Sequence, residues 1–147
     1  MGTPTELTPD LSGLPSPVAA AAKAVAQRIQ QGGTGEELIS ELVDLGRLRE
    51  EELTDPRASG AVFTPYAVAE ELVERVAIGP GDTVCDPSVG PGVFLLAAAE
   101  RKYRHGESVP SITRNLRGID IDPVSVAVAR CTLQLWAAWR GGYWSPM

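Results

Sequence analysis

Two short stretches of this chain carry residues that could do chemistry. The first is Asp86-Pro87-Ser88-Val89-Gly90-Pro91-Gly92-Val93-Phe94, and the second is Gly118-Ile119-Asp120-Ile121-Asp122-Pro123. Each spans the end of a short predicted strand, and each leads into an apolar pattern with helical spacing. In open α/β sheets, ligands bind at the carboxyl ends of the strands. There Asp86 offers an acceptor to a cationic or N–H group. Gly90 and Gly92 let a ligand approach the backbone closely, because no Cβ intrudes. The backbone N–H groups that open the following helix suit a carboxylate or a phosphate. Asp120, at the end of the second strand, stands where a carboxylate can accept both hydroxyls of a ribose.

A turn suited to a zwitterion, beside an acidic clamp for a ribose, describes an amino acid joined to a nucleoside. S-adenosyl-L-methionine is such a molecule. Other ligands match less well. A phosphate-binding loop of the G-x-x-x-x-G-K-[ST] kind is absent from the sequence. A dinucleotide fingerprint wants a third glycine where Leu95 stands, and the step from the turn to Asp120 exceeds its usual ~20 residues. In a purely structural alternative, Asp86 caps a helix and the glycines only turn the chain. That alternative leaves the second acidic strand end without a reason.

The elements that must position these residues read as an α/β unit preceded by helices. Residues 1–16 are rich in Pro, Thr, Ser and Gly and predict a disordered tail. A first helix follows, with Ser16 as its cap, Pro17 in the first helical position and Gly32-Gly33 as its stop. Val18, Ala22, Val25 and Ile29 form its apolar face. Thr34 and Glu37 suggest a capping box for a second helix, lined by Leu38, Leu42 and Leu45, with Gly46 ending or kinking it. Residues 55–65 break the pattern. A third helix then carries Val68, Leu72 and Val76 on one face. A strand ending at Asp86, a helix over 92–103, a loop over 105–115, a strand ending in acidic residues and a long last helix complete the order. That last helix has Val124, Val128, Cys131, Leu135 and Trp139 on one stripe, is apolar almost all round, and needs cover on several sides.

Strand, helix, strand, helix is the start of a parallel sheet with crossover connections. We therefore expect an α/β fold in three parts: a tail over 1–16, a helical segment over 17–55, and a partial parallel-sheet domain over 56–147. In such a half-sheet the strand near Val84 has an open apolar edge, which favours self-association. The helix bearing Trp136 and Trp139 has too few partners to bury it.

Composition narrows the function classes. Apolar residues make up 44% of the 147 and charged residues 22%, the balance of a soluble globular protein. No apolar run reaches the ~18 residues of a membrane span, and the start of the chain lacks a secretory pattern. The two cysteines, Cys85 and Cys131, read as small buried hydrophobes. With the lone His105 they offer no zinc spacing, so no metal is expected and a cytoplasmic setting fits. The net charge of −6 argues against this chain gripping DNA alone, because phosphate contacts need cations. The basic run over 101–117 reads as a solvated loop.

The residues quoted above also carry a resemblance. Gly-Ala-Val-Phe-Thr-Pro (60–65), Asp-Pro-Ser-Val-Gly-Pro-Gly-Val-Phe (86–94) and Gly-Ile-Asp-Ile-Asp-Pro (118–123) stand in the order seen in N6-adenine DNA methyltransferases. The chain most resembles the modification subunits of type I restriction systems. The similarity runs from Gly60 to about Arg130, and the helical residues 17–53 match more loosely. The resemblance implies a Rossmann-like methyltransferase sheet and S-adenosylmethionine as cofactor. It implies that Phe63, Thr64 and Pro65 border the cofactor, with Thr64 near the methionine carboxylate. Asp86, Pro87, Gly90 and Gly92 hold the methionine part, and Phe94 packs beneath the turn. Asp120 takes the ribose hydroxyls, Ile121 lies against the adenine ring, and Asp122 caps the next helix. Pro91 departs from the family, which has a small residue there, and removes an N–H from the turn.

Transfer to adenine also needs the base flipped out and its amino group held. In the family an [NDS]-P-P-[YFW] segment does this, and the sequence contains none; Ser145-Pro146-Met147 lacks the second proline and the aromatic. No catalytic residue is therefore assigned. The reading is the cofactor-binding portion of an adenine-specific DNA methyltransferase of the restriction-modification type, truncated or split. DNA and restriction-modification subunits would be its partners, and no membrane. The alternatives are a non-catalytic cofactor-binding or interaction module, and a methyltransferase for another substrate such as RNA or a glutamine side chain.

Overall fold

A computed structural model of the chain describes residues 7–51 and 63–141. The expected break over 55–62, the boundary between 55 and 56, and the end of the chain from 142 lie outside the described residues, as do residues 1–6. Helices α1 (Ser16–Gln30) and α2 (Gly35–Glu51) form an antiparallel pair. Val18, Ala22 and Val25 of α1 and Leu38, Leu42 and Leu45 of α2 are buried, as their spacing predicts. Arg28 ties the pair on its solvent side, 2.7 Å from Glu37 and 2.9 Å from Glu41. Two local expectations need correction. The cap position of α1 falls on Pro15, so Ser16 is already helical. Gly46 does not end α2, which runs a further turn to Glu51.

Helix α3 (Tyr66–Arg75) leads to strand β1 (Val84–Asp86), helix α4 (Val93–Arg104), helix α5 (Val109–Arg114), strand β2 (Leu116–Gly118) and helix α6 (Pro123–Gly141). The strands pair in parallel, with Val84 opposite Leu116 and Asp86 opposite Gly118. The protein is thus largely helical, with a two-stranded parallel sheet among the described residues, which is compatible with an α/β fold. The stretch 105–115 is not simply a loop. Ser108 caps α5 by accepting the Ser111 N–H at 3.4 Å, Pro110 sits in the first turn, and Val109 and Ile112 are buried. Nor is the basic run wholly solvated. Lys102 is buried and donates to both carboxylate oxygens of Glu107, at 3.0 and 3.2 Å.

Helix α6 lies at the centre and is packed by α1, α2, α4 and α5. The expected shortage of partners around its tryptophans is therefore corrected: Trp136 is fully buried. Trp136 meets Glu100 and Tyr103 of α4, and the helical segment adds further cover to α6, its apolar faces sharing one core with the elements that follow. Inside that core the Trp136 indole N–H donates to Glu100 at 2.7 Å, and Arg140 donates to both Glu100 oxygens at 2.8 and 2.9 Å. A buried carboxylate that accepts from a neutral indole and twice from one guanidinium is stable there, whereas one without partners is not.

Other expectations differ in detail. On α3 the buried residues are Ala69 and Val73, while Val68, Leu72 and Val76 are exposed. Helix α3 packs against α4, with Ala69 and Val73 inside and the larger apolar stripe outward. Residues 7–15 are not a free tail in the structure. Leu7, Leu11 and Leu14 pack on the core, and a Cβ on Gly13 would lie 3.5 Å from Ala127. The leucine spacing outweighs the polar composition. Cys131 is buried as expected, but Cys85 is exposed, because side chains alternate along a strand and its face is uncovered. No described helix is long and apolar enough to cross a membrane.

Candidate ligand site at the carboxyl ends of the strands

Beyond Asp86 and Gly118 the two chains continue to bond as they leave the sheet. The Ile119 N–H donates to the Asp86 carbonyl at 3.0 Å, and the Val89 N–H donates to the Ile119 carbonyl at 2.9 Å. The two loops therefore emerge side by side. The first is a tight turn closed by the Gly92 N–H on the Val89 carbonyl at 3.0 Å. Gly90 has φ +52° and Gly92 φ +99°, values that glycine adopts without a steric penalty. Pro91 between them suits the negative φ of the third position of a turn with this sign pattern.

The two glycines differ in their surroundings. A Cβ on Gly92 would stand 2.9 Å from the Ala129 Cβ and 3.1 Å from its Cα, so glycine is what lets α4 start against α6. A Cβ on Gly90 would meet nothing within 4 Å. Gly90 thus faces open space at the ends of the strands. Beside it, Asp86 uses one carboxylate oxygen to accept the Ser88 N–H at 3.0 Å, a local turn bond. That is its only side-chain bond among the described residues, so its other oxygen is available to a ligand.

Asp120 joins the loops. One of its oxygens accepts the Gly90 N–H at 2.9 Å, and the other accepts the Asp122 N–H at 2.8 Å. A carboxylate has about four lone-pair sites, so each oxygen can accept a further bond. Ile121 next to it is wholly exposed, at 102% of its reference area. Asp122 caps α6 as expected, accepting the Val124 N–H at 3.1 Å. Its second oxygen accepts the Ser125 hydroxyl at 2.6 Å and the Arg49 guanidinium at 2.8 Å. Partial burial pushes its pKa up, but Ser125, Arg49 and the Val124 N–H outweigh that and hold it at about 2.

Of the residues singled out from sequence, Asp86, Pro87, Gly90, Gly92, Asp120 and Ile121 come together at this end of the sheet. Phe63 joins them from the other side of the turn. It lies with Pro91 and Gly92 around a small gap beside α2, and its ring is 3.6 Å from where a Cβ on Gly46 would be. Pro65 occupies the cap position of α3 and accepts N–H bonds from Val68 and Ala69. Thr64 precedes it, half-buried, with no bond to the other site residues. Pro91 finds its reason here: its ring packs on α2, 3.1 Å from the Cβ position of Gly46. The N–H it lacks is not the one that closes the turn.

Sequence reasoning missed two residues. A glycine inside a helical pattern costs about 1 kcal/mol against alanine, and that was the available signal for Gly46 as a packing site. Arg49 gave no signal, since an arginine in an acidic helix reads as a solvated charge.

A model of the family described as N-6 DNA methylase matches residues 48–138, more than half of the chain. The chain belongs to the N-6 DNA methylase family. The match begins in the last turn of α2, just before Arg49, and runs through most of α6, so it includes both loops of the candidate site. Enzymes of this family methylate DNA and generally use S-adenosylmethionine. No solved structure matches the chain.

The structure offers that group a suitable set of neighbours. The open side of Gly90, the free oxygen of Asp86, the remaining lone pairs of Asp120 and the bare side chain of Ile121 lie at one end of the sheet. They supply, in turn, space for close approach, an acceptor for an ammonium, acceptors for hydroxyls and an apolar surface for a ring.

Proposed function

We propose that this chain is the cofactor-binding portion of an S-adenosylmethionine-dependent, adenine-specific DNA methyltransferase of the restriction-modification type. In this reading β1 and β2 belong to a Rossmann-like sheet. One observation carries it: Asp120 ties the two loops together through Gly90 while Gly90 itself opens to solvent. A purely structural turn would not need that opening.

Each residue then has a task. Asp86 accepts from the ammonium of the methionine part, and Pro87 fixes the chain that follows it. Gly90 keeps the backbone clear for the methionine part, and Gly92 lets the turn that holds it close against α6. Asp120 accepts the ribose hydroxyls with the lone pairs left by Gly90 and Asp122. Ile121 covers one face of the adenine ring. Phe63, Thr64 and Pro65 border the methionine end, Thr64 offering its hydroxyl to the carboxylate. The bound cofactor supplies an electrophilic methyl group. Holding the target adenine is a separate task, and no segment of the 147 residues has the proline-aromatic pattern for it. Residues beyond these, on the same or another polypeptide, would supply that pocket and the contacts to DNA. Restriction-modification subunits are the proposed partners.

Binding of labelled S-adenosylmethionine to the wild type and to Asp120→Ala tests the reading. Loss of two hydrogen bonds to a carboxylate lowers affinity by at least about tenfold. Equal binding by both proteins would refute the assignment. The chain alone is expected to transfer no methyl group to DNA; transfer by the isolated chain would overturn the divided arrangement.

A second reading is a non-catalytic interaction module. It is favoured by the exposed stripe Val68, Leu72 and Val76 and by the outer edge of β1, which no described strand covers. Self-association through that edge would show as dimers in sedimentation.

A further inference from the structure

The two ligand-side loops share a support that lies outside the motifs themselves. Helix α2 touches both, through residues one turn apart. Gly46 receives the Pro91 ring, at 3.1 Å from its Cβ position, and so seats the first loop. Arg49 reaches across to Asp122 at 2.8 Å and so seats the second. The Arg49 side chain is only 14% exposed and that of Asp122 is 32% exposed, so the pair is sheltered from solvent. A sheltered, charge-assisted bond between elements is geometrically restrictive in a way that surface pairs are not.

We propose that Arg49 is a positioning residue of the cofactor site, acting through Asp122 on Asp120. The chain of contacts is continuous. Arg49 and Ser125 hold one oxygen of Asp122, and the Val124 N–H holds the other. The Asp122 N–H donates to Asp120, and Asp120 accepts the Gly90 N–H with its second oxygen. Three loop residues, Asp122, Asp120 and Gly90, thus depend on one guanidinium from a helix far away in sequence. If Arg49 is removed, Asp122 still caps α6 but is no longer pinned towards α2. The Asp120 carboxylate then loses its fixed orientation. The helical segment is by this account part of the cofactor site, and its packing against the loops sets the geometry for the ribose. The role for the ribose rests on the cofactor reading proposed above; the role for the loops does not.

The test separates these two layers. Amide hydrogen exchange of the ligand-free full chain is compared between wild type and Arg49→Met. Exchange at Gly90 and Asp122 is expected to rise at least about tenfold, while amides in the middle of α4 stay protected. Unchanged exchange at both loop amides would overturn the proposal. Binding is then measured with S-adenosylhomocysteine and with its 2′,3′-dideoxyribose analogue. Arg49→Met is expected to weaken the first about tenfold and to leave the second unchanged, a selectivity that general loosening would not give. Equal weakening of both ligands would overturn the role in ribose recognition. If the wild type binds neither ligand while the loop amides respond, the cofactor reading fails and the loop role stands. Arg49→Lys keeps the charge and is expected to restore part of both effects. Should Arg49→Met not fold, Asp122→Asn carries the same comparison, with the same outcomes for and against.

Discussion

The two ends of the small sheet solve the same problem in different ways. At each end a carboxylate ties a loop beside β1 to residues around β2. At the amino ends the carboxylate is Glu107. It accepts the Gly81 N–H at 2.8 Å, the Lys102 ammonium at 3.0 and 3.2 Å and the Ser111 hydroxyl at 3.1 Å. With side chains only 6% and 2% exposed, Glu107 and Lys102 form a closed clasp. Burial pushes the Glu107 pKa up, but its donors outweigh that and hold it below the usual value. At the carboxyl ends the carboxylate is Asp120, which accepts two backbone N–H groups and has no cationic partner among the described residues. Next to it lie an open glycine and a bare isoleucine. A saturated buried carboxylate holds a fold, whereas a partly used one at an open end can also hold a ligand.

That contrast can be broken most forcefully at the closed end. Lys102→Met leaves Glu107 buried without its cation and is expected to cost about 3–5 kcal/mol in denaturant unfolding. A cost below about 1 kcal/mol would mean that the clasp is solvated after all. Next come the glycines. Gly92→Ala forces a Cβ to 2.9 Å from Ala129 at a left-handed φ and should destabilise by about 3 kcal/mol. Gly90→Ala meets no neighbour and should cost only about 1 kcal/mol, yet it should weaken S-adenosylmethionine binding more than its stability loss accounts for. Thermal melts and a binding titration on both variants check the pair.

Acid should sharpen the comparison further. The folded pKa of Asp122 is about 2, below its ordinary 3.8. Its contribution is therefore fully present above the ordinary value and is lost as pH falls through the folded one. Partial exposure limits it to about 1–2 kcal/mol. The lowered Glu107 acts in the same direction. Arg49→Met should flatten the acid dependence of stability over that window, and an unchanged slope would show that Arg49 does not hold Asp122. The smallest effect is chemical. Cys85 is exposed and should react with a maleimide in the folded protein. Cys131 is buried, and burial pushes its thiol up to about 12, so it should react only after unfolding. Mass spectrometry of the labelled peptides distinguishes them.

Much of this was legible in the sequence, for a physical reason. Helical spacing placed Leu38, Leu42 and Leu45 correctly because large apolar side chains leave little choice of face. The Asp-glycine turn and the acidic strand end were legible because glycine and aspartate there answer to local geometry. What escaped depends on contacts distant in sequence. The inward face of α3, with Ala69 and Val73, packs in a helical arrangement that includes α4, and no pattern in residues 66–76 reveals it. Helix α6 is covered by α1 and α2 as well as by α4, where Trp136 meets Glu100 and Tyr103, and no local pattern reveals that the first two helices fold back over it. Gly46 with Pro91, and Arg49 with Asp122, are pairs across the fold, and neither member announces the other.

The central claim is that the carboxyl ends of β1 and β2 hold the cofactor while the amino ends only hold the fold. An amide NMR titration of the whole chain with S-adenosylmethionine tests it most directly. The account predicts saturable shifts at one site per chain, concentrated in residues 86–92 and 119–123, with Gly81 and Ser111 unmoved. A folded sample whose loop amides do not move, or whose shifts gather around Glu107, would contradict it.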